Sequence, residues 1–296
     1  MAGINFINEN EYSKPLKFKF QTNKNYNENC LETMAKMPDG FIDLIVTSPP
    51  YDGLRTYNGY SFPFEDIANE LYRVTKQGGV VVWIVGDGHY KGGETLTSFR
   101  QALFFQSIGF LMHDTIIYKK SNFTVPFPDK YHQTFEYCFV LSKGKKKTFN
   151  PIIDRPNKKA NKSGGTQTII EADGSRSKRN SKMIAEYGKR HNVWEYHTGN
   201  NHTTKDVCAF NHPAKYPELL CNDHIISWSN ENDLIYDPFM GSGTTAKMAI
   251  LNNRNWIGSE ISSEYCDIIQ ERIEKAWEEK RKEKDLQVGT LFGDGM

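Results

Sequence analysis

A short run of the sequence carries the side chains best suited to chemistry on a planar ring with an exocyclic amine. Residues 47–51 read Thr-Ser-Pro-Pro-Tyr. The two prolines restrict the backbone and have no N–H groups, so the carbonyl oxygens can point into a cleft and accept hydrogen bonds. We expect Tyr51 to stack on the ring, and Ser48 and the Pro49 carbonyl to hold the amine. Such a loop suits a nucleobase turned out of its helix.

A second run indicates a site for a nucleoside-containing cofactor. Residues 237–245 read Asp-Pro-Phe-Met-Gly-Ser-Gly-Thr-Thr, between a predicted strand and a predicted helix. Glycines at such a turn allow the backbone to approach a ligand closely. The Gly-Lys-Ser/Thr ending of a phosphate-binding P-loop is missing. Glu260 lies 17 residues after Gly243, at the end of the next predicted strand, where a carboxylate can accept hydrogen bonds from two ribose hydroxyls.

The elements that must position these runs follow an α/β pattern. Apolar runs predict buried strands, and the spacing of apolar residues between several of them predicts helices. The predicted strands are 41–46, 80–85, 113–119, 137–141, 233–236 and 256–260. The predicted helices are 64–76, which the glycine pair 78–79 ends, 97–107, 218–229, 244–252 and 263–284. Alternating strands and helices predict a mostly parallel central sheet with helices on both faces.

A basic block interrupts this pattern. Residues 143–205 hold 15 Lys and Arg against 5 Asp and Glu, a local charge of +10, although the whole chain carries only +1. Regular apolar spacing is hard to find in this block, which is too long for an ordinary loop. The charge is consistent with a surface that binds a polyanion. A solvated flexible loop is the alternative interpretation.

Together the two runs resemble the amino-methyltransferases of DNA, whose catalytic loop reads (Asp/Asn/Ser)-Pro-Pro-(Tyr/Phe) and whose cofactor loop resembles residues 237–245. The resemblance covers about residues 26–141 and 206–275, and implies a Rossmann-like fold that uses S-adenosylmethionine. The catalytic run begins 190 residues before the cofactor run, an order similar to that of the permuted beta group. That group carries a target-recognition region between its halves. The implied units are 1–142 (catalytic half), 143–205 (target recognition) and 206–296 (cofactor-binding half).

The resemblance assigns roles to individual residues. The implied catalytic residues are Ser48, Pro49, Pro50 and Tyr51. The implied cofactor-binding residues are Asn29, Cys30, Thr47, Lys215, Asp237, Pro238, Phe239, Gly241, Ser242, Gly243, Thr244 and Glu260. Asn29 replaces the Asp that is usual in relatives, which leaves the role of Asn29 open. The DNA-binding residues that we expect, from the basic block and the stretch after the catalytic loop, are Arg55, Tyr57, Lys158, Lys159, Arg176, Lys178 and Arg179.

The implied reaction is direct methyl transfer to an exocyclic amine of a flipped-out base. Hydrogen bonds from the amine to Ser48 and the Pro49 carbonyl favour a pyramidal nitrogen with an available lone pair, and positioning in a low-water cleft does the rest. Methylation of a ring carbon would instead need a cysteine nucleophile, typically in a Pro-Cys pair, and the sequence has none. Ser48 favours cytosine N4 as the target, and adenine N6 is the alternative. A non-catalytic DNA-binding protein and an RNA or protein methyltransferase are the rival interpretations.

Composition limits where such a protein acts. Of the 296 residues, 38% are hydrophobic and 25% charged, and no apolar run reaches the ~20 residues that span a bilayer. The five scattered cysteines fit a reducing compartment. Cys208, His212, Cys221 and His224 mimic a zinc spacing, but we interpret the cysteines as core or surface residues and expect no metal. We therefore expect a cytoplasmic protein with no membrane association. The expected partners are double-stranded DNA, a cognate restriction endonuclease and a second copy of the chain.

Overall fold

A computed structural model describes residues 20–50, 62–122, 129–162, 165–180, 183–199, 201–212 and 215–292. Three of the residues expected at the site, Tyr51, Arg55 and Tyr57, lie outside the described residues. The strands are β1 (Lys24–Tyr26), β2 (Ile42–Thr47), β3 (Thr75–Val85), β4 (His89–Tyr90), β5 (Gly93–Glu94), β6 (Leu111–Lys120), β7 (Phe135–Ser142), β8 (Ile153–Pro156), β9 (Thr166–Ile170), β10 (Arg176–Asn180), β11 (Tyr187–Lys189), β12 (Val193–Tyr196), β13 (Leu234–Asp237) and β14 (Asn255–Ser259). The helices are α1 (Cys30–Ala35), α2 (Phe64–Val74), α3 (Thr97–Ser107), α4 (Glu218–Trp228), α5 (Thr244–Leu251) and α6 (Ser263–Phe292), with a 3-10 helix at Val207–Asn211.

Eight strands form the central sheet in the order β1-β14-β13-β2-β3-β7-β6-β12. β7 pairs antiparallel with both of its neighbours, and every other pair in the sheet is parallel. The predicted mostly parallel α/β fold is therefore confirmed. Because β2, β3, β13 and β14 run in the same direction, the loops that follow them meet at one edge of the sheet.

Alternating side chains of the central strands supply two separate cores. In β3, Val80 and Val82 belong to one core cluster, and Val81 and Trp83 to the other. Residues of α4, α5 and α6 complete the first cluster, and residues of α1, α2 and α3 complete the second. Burial on both faces explains why these strands are continuous apolar runs in the sequence. The helices therefore cover both faces of the sheet.

The boundary between α2 and β3 differs from the prediction. The helix ends at Val74, and the strand begins at Thr75 and continues through the glycine pair that was expected to end the helix. Gly78 has a φ of +82°, and its N–H donates to the Lys143 carbonyl over 2.7 Å. A Cβ on Gly79 would lie 3.0 Å from the Asp43 carbonyl oxygen. The two glycines allow neighbouring backbone to approach the strand.

The segment 143–205 contains regular structure that its apolar spacing did not predict. β8 pairs antiparallel with β11, and β9 pairs antiparallel with β10. β12 pairs parallel with β6 and therefore belongs to the central sheet. Its buried Trp194 and Tyr196 alternate with exposed residues, a pattern too short to stand out in a polar stretch.

Crossing a membrane requires a helix that is both long and apolar. Within the described residues, none combines the length and the apolar character that crossing a membrane requires.

Candidate functional site

The fold brings the two chemically informative runs together at one edge of the sheet. β2 and β13 are parallel neighbours, with Leu44 opposite Ile235 and Ile45 opposite Tyr236. Their last residues, Thr47 and Asp237, meet through a hydrogen bond. The Thr47 hydroxyl donates to Asp237 Oδ1 over 2.6 Å, and both side chains are buried. The Ser-Pro-Pro segment and the predicted cofactor loop therefore begin side by side.

The Asp237 carboxylate also fixes the loop that follows it. The Phe239 N–H donates to Oδ1 over 3.0 Å, and the Thr245 hydroxyl donates to Oδ2 over 2.6 Å. We call this set (Thr47, Asp237, Phe239 and Thr245) the Asp237 clamp. Burial raises the pKa of Asp237 to about 6, although the hydrogen bonds from Thr245 and Thr47 lower it. The side chains of Thr47 and Asp237 are thus engaged with the protein itself.

Two glycines in the loop adopt the left-handed backbone conformation. Gly241 has a φ of +54° and Gly243 a φ of +82°, which only glycine adopts readily. A Cβ on Gly241 would lie 3.0 Å from His212 Nε2, and a Cβ on Gly243 would lie 3.3 Å from the Ile269 Cα in α6. The sequence interpretation explained these glycines by the approach of a ligand. The structure adds close packing against His212 and α6 as a second reason.

Glu260, directly after β14, faces the same loop. Its Oε2 accepts a hydrogen bond from the Gly241 N–H over 2.8 Å, and its Oε1 accepts one from the Ser262 N–H over 2.9 Å. Burial raises the pKa of Glu260, while these backbone hydrogen bonds lower it. A carboxylate has about four lone-pair positions, so two backbone donors leave room for two further donors. That capacity fits the diol of a ribose.

Aromatic side chains lie beside the loop. The Phe239 ring lies 5.7 Å from the Phe62 ring and 6.3 Å from the Trp83 ring, between centroids. His212, which lies close to Gly241, packs against Tyr265 with ring centroids 4.5 Å apart. Aromatic side chains of this kind commonly line ligand sites.

Three of the expected cofactor-binding residues make other contacts. The Asn29 side chain accepts a hydrogen bond from the Leu31 N–H over 2.9 Å and caps α1, as Asn does at helix starts. Cys30 is buried, and burial raises the pKa of its thiol to about 12, so the thiol is neutral at pH 7. The Lys215 ammonium donates to the Phe210 carbonyl over 3.1 Å.

An ionic network contacts the cofactor loop through Arg272, and the sequence interpretation did not predict it. Arg272 in α6 is fully buried and donates to Asp206 over 2.8 Å, to the Glu218 carboxylate, and to the Ser242 carbonyl over 2.7 Å. Lys247 donates to the same two carboxylates over 2.9 and 3.1 Å. Burial alone would raise the pKa of Asp206, but the hydrogen bonds from Lys247 and Arg272 leave it below its ordinary value.

Two residues expected to bind the cofactor, Ser242 and Thr244, contact this network through their side chains. The hydroxyl oxygens of Ser242 and Thr244 each accept a hydrogen bond from Arg272 over 3.1 Å. Both residues are buried. Their side chains therefore hold the loop onto α6. The only sequence signal for the network was an Arg at an apolar position of the predicted amphipathic helix.

Polar residues at the ends of β3, β6 and β7 lie at the same edge. The Asp87 carboxylate accepts hydrogen bonds from the Ser98 N–H and hydroxyl over 2.9 and 2.6 Å, and so fixes the start of α3. Lys120 and Glu136 form an ion pair of 2.5 Å, with side chains only 19% and 12% exposed. The sequence interpretation did not single out Asp87 or Lys120, although each lies within two residues of the end of a predicted strand.

The basic residues of the middle segment lie on or beside two small antiparallel sheets of two strands each. Lys158 and Lys159 line a groove of about 460 Å³ next to the β8–β11 pair. Arg176, Lys178 and Arg179 lie on β10. The structure thus divides the expected DNA-binding residues between two places.

Arg190 ties the base of this segment to the core. Its guanidinium donates to Asp154 in β8 over 2.8 Å and to Asp223 in α4 over 2.5 Å. The Tyr196 hydroxyl at the end of β12 donates to the same Asp223 over 2.6 Å. Arg190 therefore joins β8 to α4, and α4 is joined to β12 of the central sheet by the same Asp223.

Among the described residues, those of the zinc-like spacing do not form a metal site. Within the described ranges, no three His, Cys, Asp or Glu side chains converge as metal ligands would. His224 is fully buried and packs against Trp194 in a tilted arrangement, with ring centroids 4.8 Å apart. Burial lowers the pKa of His224 to about 3, so its ring is neutral.

Comparisons with known proteins place this arrangement among relatives. A family model described as DNA methylase matches residues 42–271, which include both runs and Glu260. The chain is 56% identical over 240 residues to the orphan methyltransferase M.BamHII of Bacillus amyloliquefaciens, covering 79% of this chain and 89% of that protein.

Two solved structures share the fold at lower identity. The PvuII DNA methyltransferase (cytosine-N4-specific) matches with a TM-score of 0.62 and 19% identity, over 88% of this chain and 91% of that one. The M1.HpyAVI complex with SAM matches with a TM-score of 0.54 and 21% identity, over 84% and 98%.

Asp237→Asn tests the Asp237 clamp through pH. Because the pKa of Asp237 in the folded chain is about 6, above its ordinary value of 3.8, the folded state binds this proton more tightly. The resulting stability is complete below about pH 4 and is lost as the pH rises through about 6. Between those values, we expect the free energy of unfolding of the wild type, relative to Asp237→Asn, to fall by about 3 kcal/mol. Urea unfolding of both proteins across this pH range measures the difference in the free energy of unfolding. Asp267→Asn, at an exposed carboxylate, is the control, and equal pH profiles for wild type and Asp237→Asn would contradict the assignment.

Arg272→Met tests the buried network. Removing the guanidinium leaves two partly buried carboxylates with Lys247 as their remaining cation, so we expect a loss of about 3 kcal/mol in the free energy of unfolding. Chemical denaturation measures the loss. Arg281→Met, at an exposed position of the same helix, should change the stability by less than about 0.5 kcal/mol. A similar small change in both variants would show that the network contributes little.

Proposed function

The chain belongs to the DNA methylase family, and from that premise we propose that it methylates cytosine N4 in double-stranded DNA, with S-adenosylmethionine as the methyl donor. The observation that carries the proposal is the buried hydrogen bond between Thr47 and Asp237. It holds the Ser-Pro-Pro segment, which suits an exocyclic amine, beside the loop that suits a nucleoside-containing donor. The proposed roles of the individual residues follow from this juxtaposition.

The donor is held by the residues around the cofactor loop. Glu260 accepts hydrogen bonds from the ribose hydroxyls with the lone pairs that Gly241 and Ser262 leave available. The backbone of the loop from Phe239 to Gly243 forms the surface beside it. When bound, S-adenosylmethionine supplies a methyl group on a positively charged sulfur, which an amine nitrogen can attack. The Asp237 clamp and Arg272 keep the loop in a single conformation, so less ordering is required on binding.

The target amine is held by residues 48–50, directly after β2. The Ser48 hydroxyl oxygen and the Pro49 carbonyl accept hydrogen bonds from the two N–H groups of the amine, and Tyr51 stacks on the base. These contacts favour a pyramidal nitrogen whose lone pair is available. The nitrogen becomes acidic once methylated and releases its proton to water, so the chain needs no strong base. Positioning in a cleft with little water is the main contribution of the protein.

Cytosine is preferred over adenine because of Ser48. The enzymes that the catalytic loop resembles carry Ser-Pro-Pro-Tyr more often when they act on cytosine N4, and Asp in place of Ser when they act on adenine N6. The solved cytosine-N4-specific neighbour shares the fold at 19% identity, so the argument for cytosine rests on Ser48.

The DNA is bound by the basic segment between the two halves. Residues 143–205 carry a charge of +10, which suits the phosphate backbone. Arg55 and Tyr57, which lie outside the described residues, are further DNA-binding residues expected from the sequence. A partner endonuclease, a homodimer and a cytoplasmic location remain predictions from the sequence. The 56% identical relative, M.BamHII, is named an orphan methyltransferase.

The product of the reaction identifies the target atom. We expect DNA from a methylation-free host that expresses the chain to contain N4-methylcytosine after hydrolysis, as measured by mass spectrometry of the nucleosides. Because Ser48 holds the amine in the transition state, Ser48→Ala should lower kcat roughly hundredfold and leave donor binding unchanged. Ser107→Ala, at the exposed end of α3, is the matched control. N6-methyladenine in place of N4-methylcytosine would overturn the choice of base, and the absence of both would overturn the enzyme assignment.

Glu260→Gln tests the donor site. The amide keeps the size of the side chain but loses the charge and half of the acceptor capacity, so we expect the Kd for S-adenosylmethionine to rise roughly tenfold to hundredfold. Isothermal calorimetry on the full chain measures it. Glu264→Gln, at an exposed position in the first turn of α6, should bind as tightly as the wild type. An unchanged Kd in Glu260→Gln would remove Glu260 from the donor site.

A further inference from the structure

The β9–β10 ribbon, residues 166–180 with its turn, stands apart from the rest of the described structure. It forms a separate two-stranded sheet. The turn is closed by a hydrogen bond from the Gly174 N–H to the Glu171 carbonyl over 2.9 Å, and Gly174 has a φ of +81°. An isolated two-stranded hairpin is marginally stable in water. A ribbon of this kind is therefore suited to contact a partner.

The two faces of the ribbon differ in composition. Lys178 lies opposite Thr168, and Arg176 opposite Ile170. Because successive side chains point to opposite faces, these four residues share one face, which we call the outer face. Arg179 and Gln167, also opposite each other, lie on the inner face.

Exposure differs between the faces at two positions. All four residues of the outer face are exposed, and Ile170 is 70% exposed. On the inner face, Ile169 and Ser177 are partly covered, whereas Arg179 and Gln167 are exposed. The outer face thus combines two cations, a hydroxyl and an exposed apolar side chain, and the inner face carries a single cation.

This combination fits the edges of DNA base pairs as well as phosphates. Arg and Lys recognise guanine O6 and N7, and an apolar side chain contacts the thymine methyl group. The major groove of DNA is about 12 Å wide and admits a two-stranded β-ribbon. The carboxylates of the ribbon lie in its turn, where the Asp173 side chain accepts a hydrogen bond from the Ser175 N–H and Glu171 one from the Ser177 hydroxyl. The positive charge is therefore concentrated on the strands.

We propose that the β9–β10 ribbon enters the major groove of the DNA with its outer face toward the base edges. Arg176 and Lys178 make the contacts, and Arg179, on the inner face, does not. The inference rests on the proposed function and refines the expectation that placed all three cations on the DNA. The Arg190 contacts with Asp154 and Asp223 hold the base of the segment that carries the ribbon.

The arginine pair provides a matched test, because Arg176→Gln and Arg179→Gln each remove one positive charge from the same strand. We expect Arg176→Gln to raise the KM for unmethylated genomic DNA roughly tenfold to hundredfold, and Arg179→Gln to raise it less than about threefold. The Kd for S-adenosylmethionine should be unchanged in both variants. Long-read sequencing should show additional methylated sites for Arg176→Gln alone. Equal KM values for the two variants would overturn the ribbon assignment.

The groove is tested by competition in donor-free binding of the full chain to the same DNA. Methyl green, a major-groove ligand, should abolish the difference in affinity between the two variants, whereas netropsin, a minor-groove ligand, should leave it. The reverse result would overturn the groove assignment.

The ribbon proposal and the proposed function fail separately. If the wild type methylates DNA but the variants behave alike, only the ribbon proposal fails. If the wild type leaves DNA unmethylated, the proposed function fails, and the binding difference between the variants still decides the ribbon.

Discussion

The site depends on one buried carboxylate. Asp237 receives hydrogen bonds from its own loop, from the start of α5 and from the end of β2, which lies 190 residues earlier in the chain. Burying this group costs free energy, as its raised pKa shows, and a carboxylate without these donors would be far more costly. The same contacts fix the distance between the Ser-Pro-Pro segment and the loop that follows β13.

Charged side chains contact the cofactor loop on the side of α6. Arg272 and Lys247 together neutralise Asp206 and Glu218 below the loop, and Arg272 also holds the Ser242 carbonyl. The desolvation of such charges offsets much of their attraction, but removing one member leaves the others without a partner and is strongly destabilising. The loop between these two supports can therefore present its backbone to a ligand without rearranging.

The sequence anticipated the architecture where burial leaves a strong pattern. The central strands are continuous apolar runs because both faces of the sheet are covered, and they were predicted correctly. β12 was missed because its four residues carry only two buried side chains within a polar stretch. The same limit applies to the site. Ser242 and Thr244 belong to a loop whose residue types suit a cofactor, yet their hydroxyls contact Arg272, a residue nearly thirty positions away.

The sequence by itself determined the residue types of the two runs, their order along the chain and the class of chemistry that they suit. Only the tertiary structure decided which side chains meet. Thr47 and Asp237 are 190 residues apart, and their contact follows from the pairing of β2 with β13. The pleat of the β9–β10 ribbon likewise separates Arg176 from Arg179, which the composition of the segment treats as equal. The reason is physical: spacing along a chain fixes local geometry, whereas partners across a sheet are selected by burial and register.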